Sequence, residues 1–125
     1  MSIPDPTTAY RQAAIENAPP LKLVRMMYQG SLRFLAQASE AFDEGDLPRF
    51  NERVGRAESI VSELRCSLDN SAAPELCTEL ESLYLYTSAR LIEAIADSSM
   101  DRVEEARDVL KTLLSAWNDL EMEQA

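Results

Sequence analysis

The side chains that could carry out chemistry in this chain are two cysteines, four tyrosines and many carboxylates, and the sequence contains no histidine. Histidine is the commonest general base and the commonest transition-metal ligand, so its absence removes most catalytic and metal-binding arrangements. The separation of Cys66 from Cys77 does not match a zinc motif. No glycine-rich phosphate loop is present. We therefore predict that the chain is not an enzyme, holds no metal or cofactor, and acts by binding.

The net charge of the chain limits the kinds of molecule that it can bind. The formal net charge is −10, and it is unevenly distributed. The first 39 residues carry four basic and two acidic side chains, while the remainder carry eight basic and twenty acidic ones. Nucleic acids and anionic membranes both require a basic surface, so we predict neither as a partner. An acidic surface aids solubility, and it can also steer a basic partner.

Targeting signals and membrane spans are not evident in the sequence. No segment has the length of an apolar span, so we predict no membrane insertion. The first ten residues, MSIPDPTTAY, do not combine a basic region with an apolar run, as a secretory signal would. The expected location is the cytoplasm.

Four long helices are predicted to position the binding surface. They cover residues 19 to about 44, 46–69, 74 to about 96 and about 99–122, with Gly45 and Asp46 as stop and start signals between the first two. Short connections between long helices favour an all-α, antiparallel up-down-up-down four-helix bundle over residues 19–122. Residues 1–18 are predicted to form an N-terminal arm or short helix. Its helical part is expected at residues 8–17, after Pro4 and Pro6.

Apolar residues recur every three or four positions in the last three helices, which predicts one core-facing row in each. In the third helix, Thr87 interrupts the row. The rows consist of Leu47, Phe50, Val54, Ala57, Val61, Leu64 and Leu68; Leu76, Leu80, Leu83, Leu91 and Ala94; and Val103, Ala106, Leu110, Leu113, Trp117 and Leu120. Trp117 is interpreted as structural.

The first helix has more apolar surface than one core-facing row requires. Val24, Tyr28, Leu35 and Phe42 form one row, and a second row lies beside it: Leu23, Met27 and Phe34. The second row either packs inside the bundle against a neighbouring helix or is available to a partner. In the third helix, Tyr84 and Tyr86 lie about 200° apart around the axis, so they cannot both be core residues.

Five motifs in order along the chain resemble the FliS family, the flagellin-specific chaperones of bacterial flagellar export. They are the pair at 9–10 (AY); 18–38 (APPLKLVRMMYQGSLRFLAQA), with MYQG in place of the family's Leu-Tyr-x-Gly; 60–69 (IVSELRCSLD); 83–86 (LYLY); and Trp117. The sequence departs from the family at Leu85, where aspartate is usual, and at 72–74 (AAP), where a glycine pair is frequent.

The resemblance implies a cytoplasmic chaperone with a helical bundle fold. Such a chaperone binds the disordered C-terminal segment of flagellin in apolar grooves, prevents premature polymerisation and helps delivery to the type III export gate. In the family the N-terminal arm can occupy part of the groove, a role suited here to Tyr10 and Ile15. The alternative is a homodimeric adaptor, or a divergent paralogue without a flagellin client.

The residues that we expect to line or support the client groove combine the second row with three tyrosines. For Tyr28, packing in the core is an equally good interpretation. The set is Leu23, Met27, Tyr28, Phe34, Tyr84 and Tyr86.

Overall fold

The computed structural model describes residues 4–11, 21–68 and 73–124. These residues form five α-helices and contain no strand, so the all-α prediction is confirmed. None of the helices in this part of the chain is long and apolar enough to cross a membrane. The helices are α1 (Pro6–Arg11), α2 (Leu21–Asp43), α3 (Leu47–Cys66), α4 (Pro74–Asp97) and α5 (Met100–Gln124).

The turn between α2 and α3 follows from two residues. Gly45 has φ of 75°, a left-handed conformation that only glycine adopts without cost. Its N–H donates to the Phe42 carbonyl at 3.0 Å, and the Asp46 N–H donates to the Ala41 carbonyl at 2.9 Å. The Asp46 carboxylate then accepts a hydrogen bond from the Arg49 N–H at 3.1 Å and caps α3. The predicted stop and start signals are confirmed.

The short helix α1 begins earlier than the sequence indicated. It starts at Pro6 rather than at residue 8, because the first helical position does not require an N–H donor. The Asp5 carboxylate accepts hydrogen bonds from the backbone N–H groups of Thr7 and Thr8, at 3.0 and 3.2 Å. Residues 12–17, the rest of the predicted segment, lie outside the described residues.

The four long helices pack in a cycle in which α2 contacts α3, α3 contacts α4, α4 contacts α5, and α5 contacts α2. The predicted rows supply most of the core, with two corrections. Leu47 is 42% exposed, since it occupies the first position of α3. Thr87 is buried in the α4 row instead of interrupting it, because its hydroxyl donates to the Leu83 carbonyl at 2.7 Å.

Candidate functional site

The arm helix α1 lies against α2, α4 and α5. Ala9 and Tyr10 are fully buried, and Thr7 is nearly so. A six-residue helix has almost no stability of its own in water, so its position depends on these tertiary contacts. Tyr10 therefore belongs to the core of the folded chain, while Ile15, the other predicted arm residue, lies outside the described residues.

Three tyrosine hydroxyls form a hydrogen-bonded chain beneath the arm. The Tyr10 hydroxyl donates to the Leu64 carbonyl oxygen at 2.7 Å and lies 3.0 Å from the Tyr84 hydroxyl, which is also hydrogen-bonded to Tyr28. A phenol has one proton, and a carbonyl oxygen can only accept. The Tyr10 proton is therefore directed to Leu64, Tyr84 donates to Tyr10, and Tyr28 donates to Tyr84.

The rings of these tyrosines pack with Trp117 into one aromatic cluster. The ring centroids of Tyr10 and Tyr28 each lie 5.9 Å from that of Trp117, and those of Tyr28 and Tyr84 lie 6.4 Å apart. The planes are tilted by 48–55°, within the range that aromatic pairs prefer. We call Tyr10, Tyr28, Tyr84 and Trp117 the aromatic cluster; α1, α2, α4 and α5 contribute one ring each.

The cluster has no acid–base role near neutral pH. Burial raises the pKa of Tyr10, Tyr28 and Tyr84 well above the ordinary value near 10, because a buried phenolate loses its hydration. The three hydroxyls therefore stay protonated and act as hydrogen-bonding groups that position the arm. Two residues predicted as groove-lining, Tyr28 and Tyr84, are fully buried in this structure.

The second apolar row of α2 borders α3. Met27 and Phe34 are half-buried and pack against the core, while Leu23 is 45% exposed. The Arg53 guanidinium lies 5.9 Å from the centroid of the Phe34 ring. A methyl group placed on Gly30 would lie 3.6 Å from Ile60 Cδ1, an ordinary van der Waals distance, so the Ile60 side chain of α3 lies beside Gly30 of α2.

These side chains define a surface that we call the α2–α3 seam: Met27, Gly30, Phe34, Arg53 and Ile60. The sequence indicated the α2 half of the seam. It did not indicate Arg53 or Ile60, because the seam depends on the register between two helices. The second row is thus partly buried against α3 and partly accessible. It neither packs wholly inside the bundle nor lies wholly open to a partner.

Tyr86 differs from Tyr84 in its surroundings. It is 42% exposed, its hydroxyl donates to the Glu105 carboxylate at 3.1 Å, and the Arg90 guanidinium lies 5.3 Å from its ring centroid. As the helical angle required, only one tyrosine of the pair is in the core. Tyr86 is therefore the tyrosine of the predicted set that is accessible to a partner in this structure.

Candidate metal ligands do not gather in the described residues, where no group of three or more cysteine and carboxylate side chains could hold an ion. Cys66 is exposed, Cys77 is buried, and the two are not joined by a disulfide.

The family model of the flagellar protein FliS matches residues 4–124. The chain is similar to the flagellar secretion chaperone FliS of Bacillus subtilis strain 168, with 31% identity over 117 residues that cover 94% of this chain and 86% of the relative. It is 33% identical over 115 residues to the flagellar secretion chaperone FliSB of Pseudomonas aeruginosa, covering 89% of this chain and 91% of the relative. The corresponding chaperone of Campylobacter jejuni is 36% identical over 109 residues, which cover 87% of this chain and 84% of that protein.

Proposed function

The chain belongs to the FliS family of flagellar proteins, and on this premise we propose that it is a flagellar secretion chaperone whose client is the disordered C-terminal segment of flagellin. The client folds onto apolar grooves as it binds, which prevents its premature polymerisation in the cytoplasm and aids its delivery to the type III export apparatus. The names of the relatives support the secretion role.

The observation that carries this proposal is the docking of α1. A short helix lies against three longer helices and inserts Tyr10 among Tyr28, Tyr84 and Trp117. This is the geometry by which a groove accepts a partner's helix. Because α1 has only six residues, a longer client helix with an aromatic or aliphatic anchor would compete with it effectively.

The α2–α3 seam provides a second contact area for the same client. Met27 and Phe34 present apolar surface there, and Leu23 extends it toward the start of α2. Methionine is flexible and polarisable, so it adapts to client side chains of different shape. Tyr86 on α4 offers an aromatic ring with a polar end, a combination that is frequent at interfaces.

The scaffold that we propose for this function is an antiparallel up-down-up-down bundle of residues 19–122, with residues 1–18 as a groove-capping arm. The cyclic packing of α2, α3, α4 and α5 supports it. The short connections at 44–46 and 98–99 also support it, because they leave no length for a crossover.

Calorimetric titration of the full chain with the C-terminal segment of flagellin from the same organism tests the proposal. We expect saturable one-to-one binding with a negative heat-capacity change, as apolar burial requires. A scrambled segment of identical composition is the control. Absence of binding well above about micromolar concentration would contradict the proposal. A concentration-dependent dimer that ignores flagellin would favour the adaptor alternative.

A further inference from the structure

The outward face of α4 carries a continuous line of apolar side chains. Leu85 is 48% exposed and Ile92 is 57% exposed, and Ala89 and Ala96 are exposed as well. Their spacing of four, three and four residues places them in one row along the helix. We call these four residues the α4 outer stripe. Thr78 and Ser82, both exposed and uncharged, extend the same face toward the start of the helix.

The outward faces of the other long helices are different, because each carries several exposed charges among the described residues. They include Lys22, Arg33 and Glu40 on α2; Glu52, Arg56 and Glu63 on α3; and Asp101, Glu104, Asp108 and Lys111 on α5. Solubility therefore does not explain the α4 outer stripe, and packing does not explain it either, since its members face away from the core. A row of exposed apolar side chains on a charged protein marks an interaction surface.

Acidic groups border this stripe. Glu75, Glu79, Glu93 and Asp97 follow one edge of the helix, and Glu81 lies at the other. The cations near the first edge are Arg90 and Arg102, and both are already engaged with Glu93, at 2.7 and 3.4 Å. A partner that lies along the stripe is therefore flanked by carboxylates.

A second copy of the chain does not suit this surface. If two α4 helices packed antiparallel about a two-fold axis, each acidic edge would face its own equivalent and the carboxylates would repel. A parallel pair would bring the two acidic edges together without an available cation. The net charge of −10 on each copy adds a longer-range repulsion.

We propose that the α4 outer stripe docks an amphipathic helix of a partner protein, whose apolar face is flanked by lysine or arginine side chains. Leu85 and Ile92 contact the apolar face, the small side chain of Ala89 permits close approach of the two helices, and the acidic edges pair with the flanking cations. The stripe residues are distinct from the aromatic cluster and from the α2–α3 seam, but Tyr86, a proposed client contact, lies beside Leu85 on the same helix.

The test uses the full chain and three labelled peptides of about 18 residues, or five helical turns. The first has a leucine and alanine stripe flanked by lysines, the second has glutamates in place of the lysines, and the third is a scrambled form of the first. Fluorescence anisotropy at about 0.15 M salt measures binding, since screening at that ionic strength weakens non-specific attraction. The stripe variant is Leu85→Ser with Ile92→Ser, and the matched control is Leu47→Ser with Met26→Ser, which removes two similarly exposed apolar side chains from other faces.

We expect the lysine-flanked peptide to bind the wild-type and the control variant equally, and the stripe variant about tenfold or more weakly. The glutamate and scrambled peptides should bind at least about tenfold more weakly than the first. Equal binding of the scrambled peptide, or equal binding to the stripe variant, would overturn the proposal. Sedimentation velocity measures whether the free chain forms a dimer. A dimer that the stripe substitutions abolish would overturn the proposal, because the surface would then bind a second copy of the chain.

Discussion

The Tyr10 hydroxyl donates a hydrogen bond to the Leu64 carbonyl oxygen, 2.7 Å away and 54 positions further along the chain. Leu64 lies in the last turn of α3, where carbonyl groups lack intrahelical partners. Its oxygen also accepts from the Ser67 N–H, at 3.3 Å. Tyr10 thus supplies a hydrogen-bond donor to the C-terminal end of α3 from a distant part of the sequence. Docking of the arm is therefore coupled to the stability of that helix end.

Replacement of Tyr10 by phenylalanine tests this coupling. The ring remains available to Trp117, while the Leu64 carbonyl loses a donor and the Tyr84 hydroxyl loses its acceptor inside the core. The Leu64 carbonyl keeps the Ser67 N–H as a donor, but a buried Tyr84 hydroxyl without an acceptor costs about 1–3 kcal/mol, so we expect the free energy of unfolding in urea to fall by that amount.

Tyr86→Phe is the matched control, because it removes a hydroxyl that is bonded to Glu105 at an exposed site. The free energy of unfolding should change by less than about 0.5 kcal/mol. If both variants lost the same small amount of stability, the arm hydroxyl would not be the link between α1 and α3.

Replacement by alanine should change the free energy of unfolding in opposite directions at two glycines. At Gly55, inside α3, a methyl group would meet no atom within 4 Å, so Gly55→Ala should raise the free energy of unfolding by about 1 kcal/mol through helix propensity. At Gly45, φ of 75° strains any other side chain, so Gly45→Ala should lower it by about 1 kcal/mol. Thermal and urea unfolding of both variants check the signs, and stabilisation by Gly45→Ala would contradict the turn described here.

The boundary between α2 and α3 could be predicted because its signals are local. Gly45 ends α2 and Asp46 caps α3 through backbone atoms within a few residues of each other. The core-facing rows could also be predicted, from the spacing of the apolar residues. The prediction failed at one residue at a helix end and at one threonine. Leu47 is exposed at the first position of its helix, and Thr87 is buried with its hydroxyl bonded to the Leu83 carbonyl.

The candidate site could be predicted only in part, because helical spacing cannot distinguish a groove from a core. The helical positions of Tyr28 and Tyr84 suit a buried residue and a groove-lining residue equally well. In the structure both tyrosines are buried beneath Tyr10. Likewise, Ile60 and Arg53 join the α2–α3 seam through the register between two helices, which no local pattern contains.

Acid should weaken the start of the arm through Asp5. Burial alone would raise the pKa of this carboxyl, but hydrogen bonds from Thr8 and Thr7 outweigh it and hold the pKa below its ordinary value of 3.8. A carboxyl with a lowered pKa stabilises the folded chain above its unfolded pKa, and the contribution is lost as pH falls through the folded value. The wild-type should therefore exceed Asp5→Ala in free energy of unfolding by about 1 kcal/mol at pH 7. Urea unfolding at pH 7, 5 and 3 should show this difference held at pH 5 and reduced at pH 3; a difference that grew in acid would contradict the capping role.

The docked arm should compete with the client. Tyr10→Ala removes the side chain that anchors α1 in the aromatic cluster, so the groove is free in a larger fraction of molecules. Apparent affinity rises in proportion to that fraction, and we expect the dissociation constant of the flagellin C-terminal segment to fall about tenfold. Calorimetry measures the constant, and circular dichroism confirms that the variant is folded. Weaker binding by a folded Tyr10→Ala would mean that the arm contributes to client binding instead of opposing it.

The neighbouring methionines of α2 provide the most direct test of the α2–α3 seam. Met27 shares the row of Phe34 and is half-buried at the seam, whereas Met26 is 51% exposed and lies outside both apolar rows. If the client occupies the seam, Met27→Ser should weaken binding of the flagellin segment about tenfold, since an apolar contact near the centre of an interface is lost. Met26→Ser should leave the dissociation constant within about twofold, because a residue away from the interface contributes little. The stability of each variant is measured separately by urea unfolding, so a loss of affinity is not mistaken for a loss of fold. Equal effects of the two substitutions would place the client on another surface.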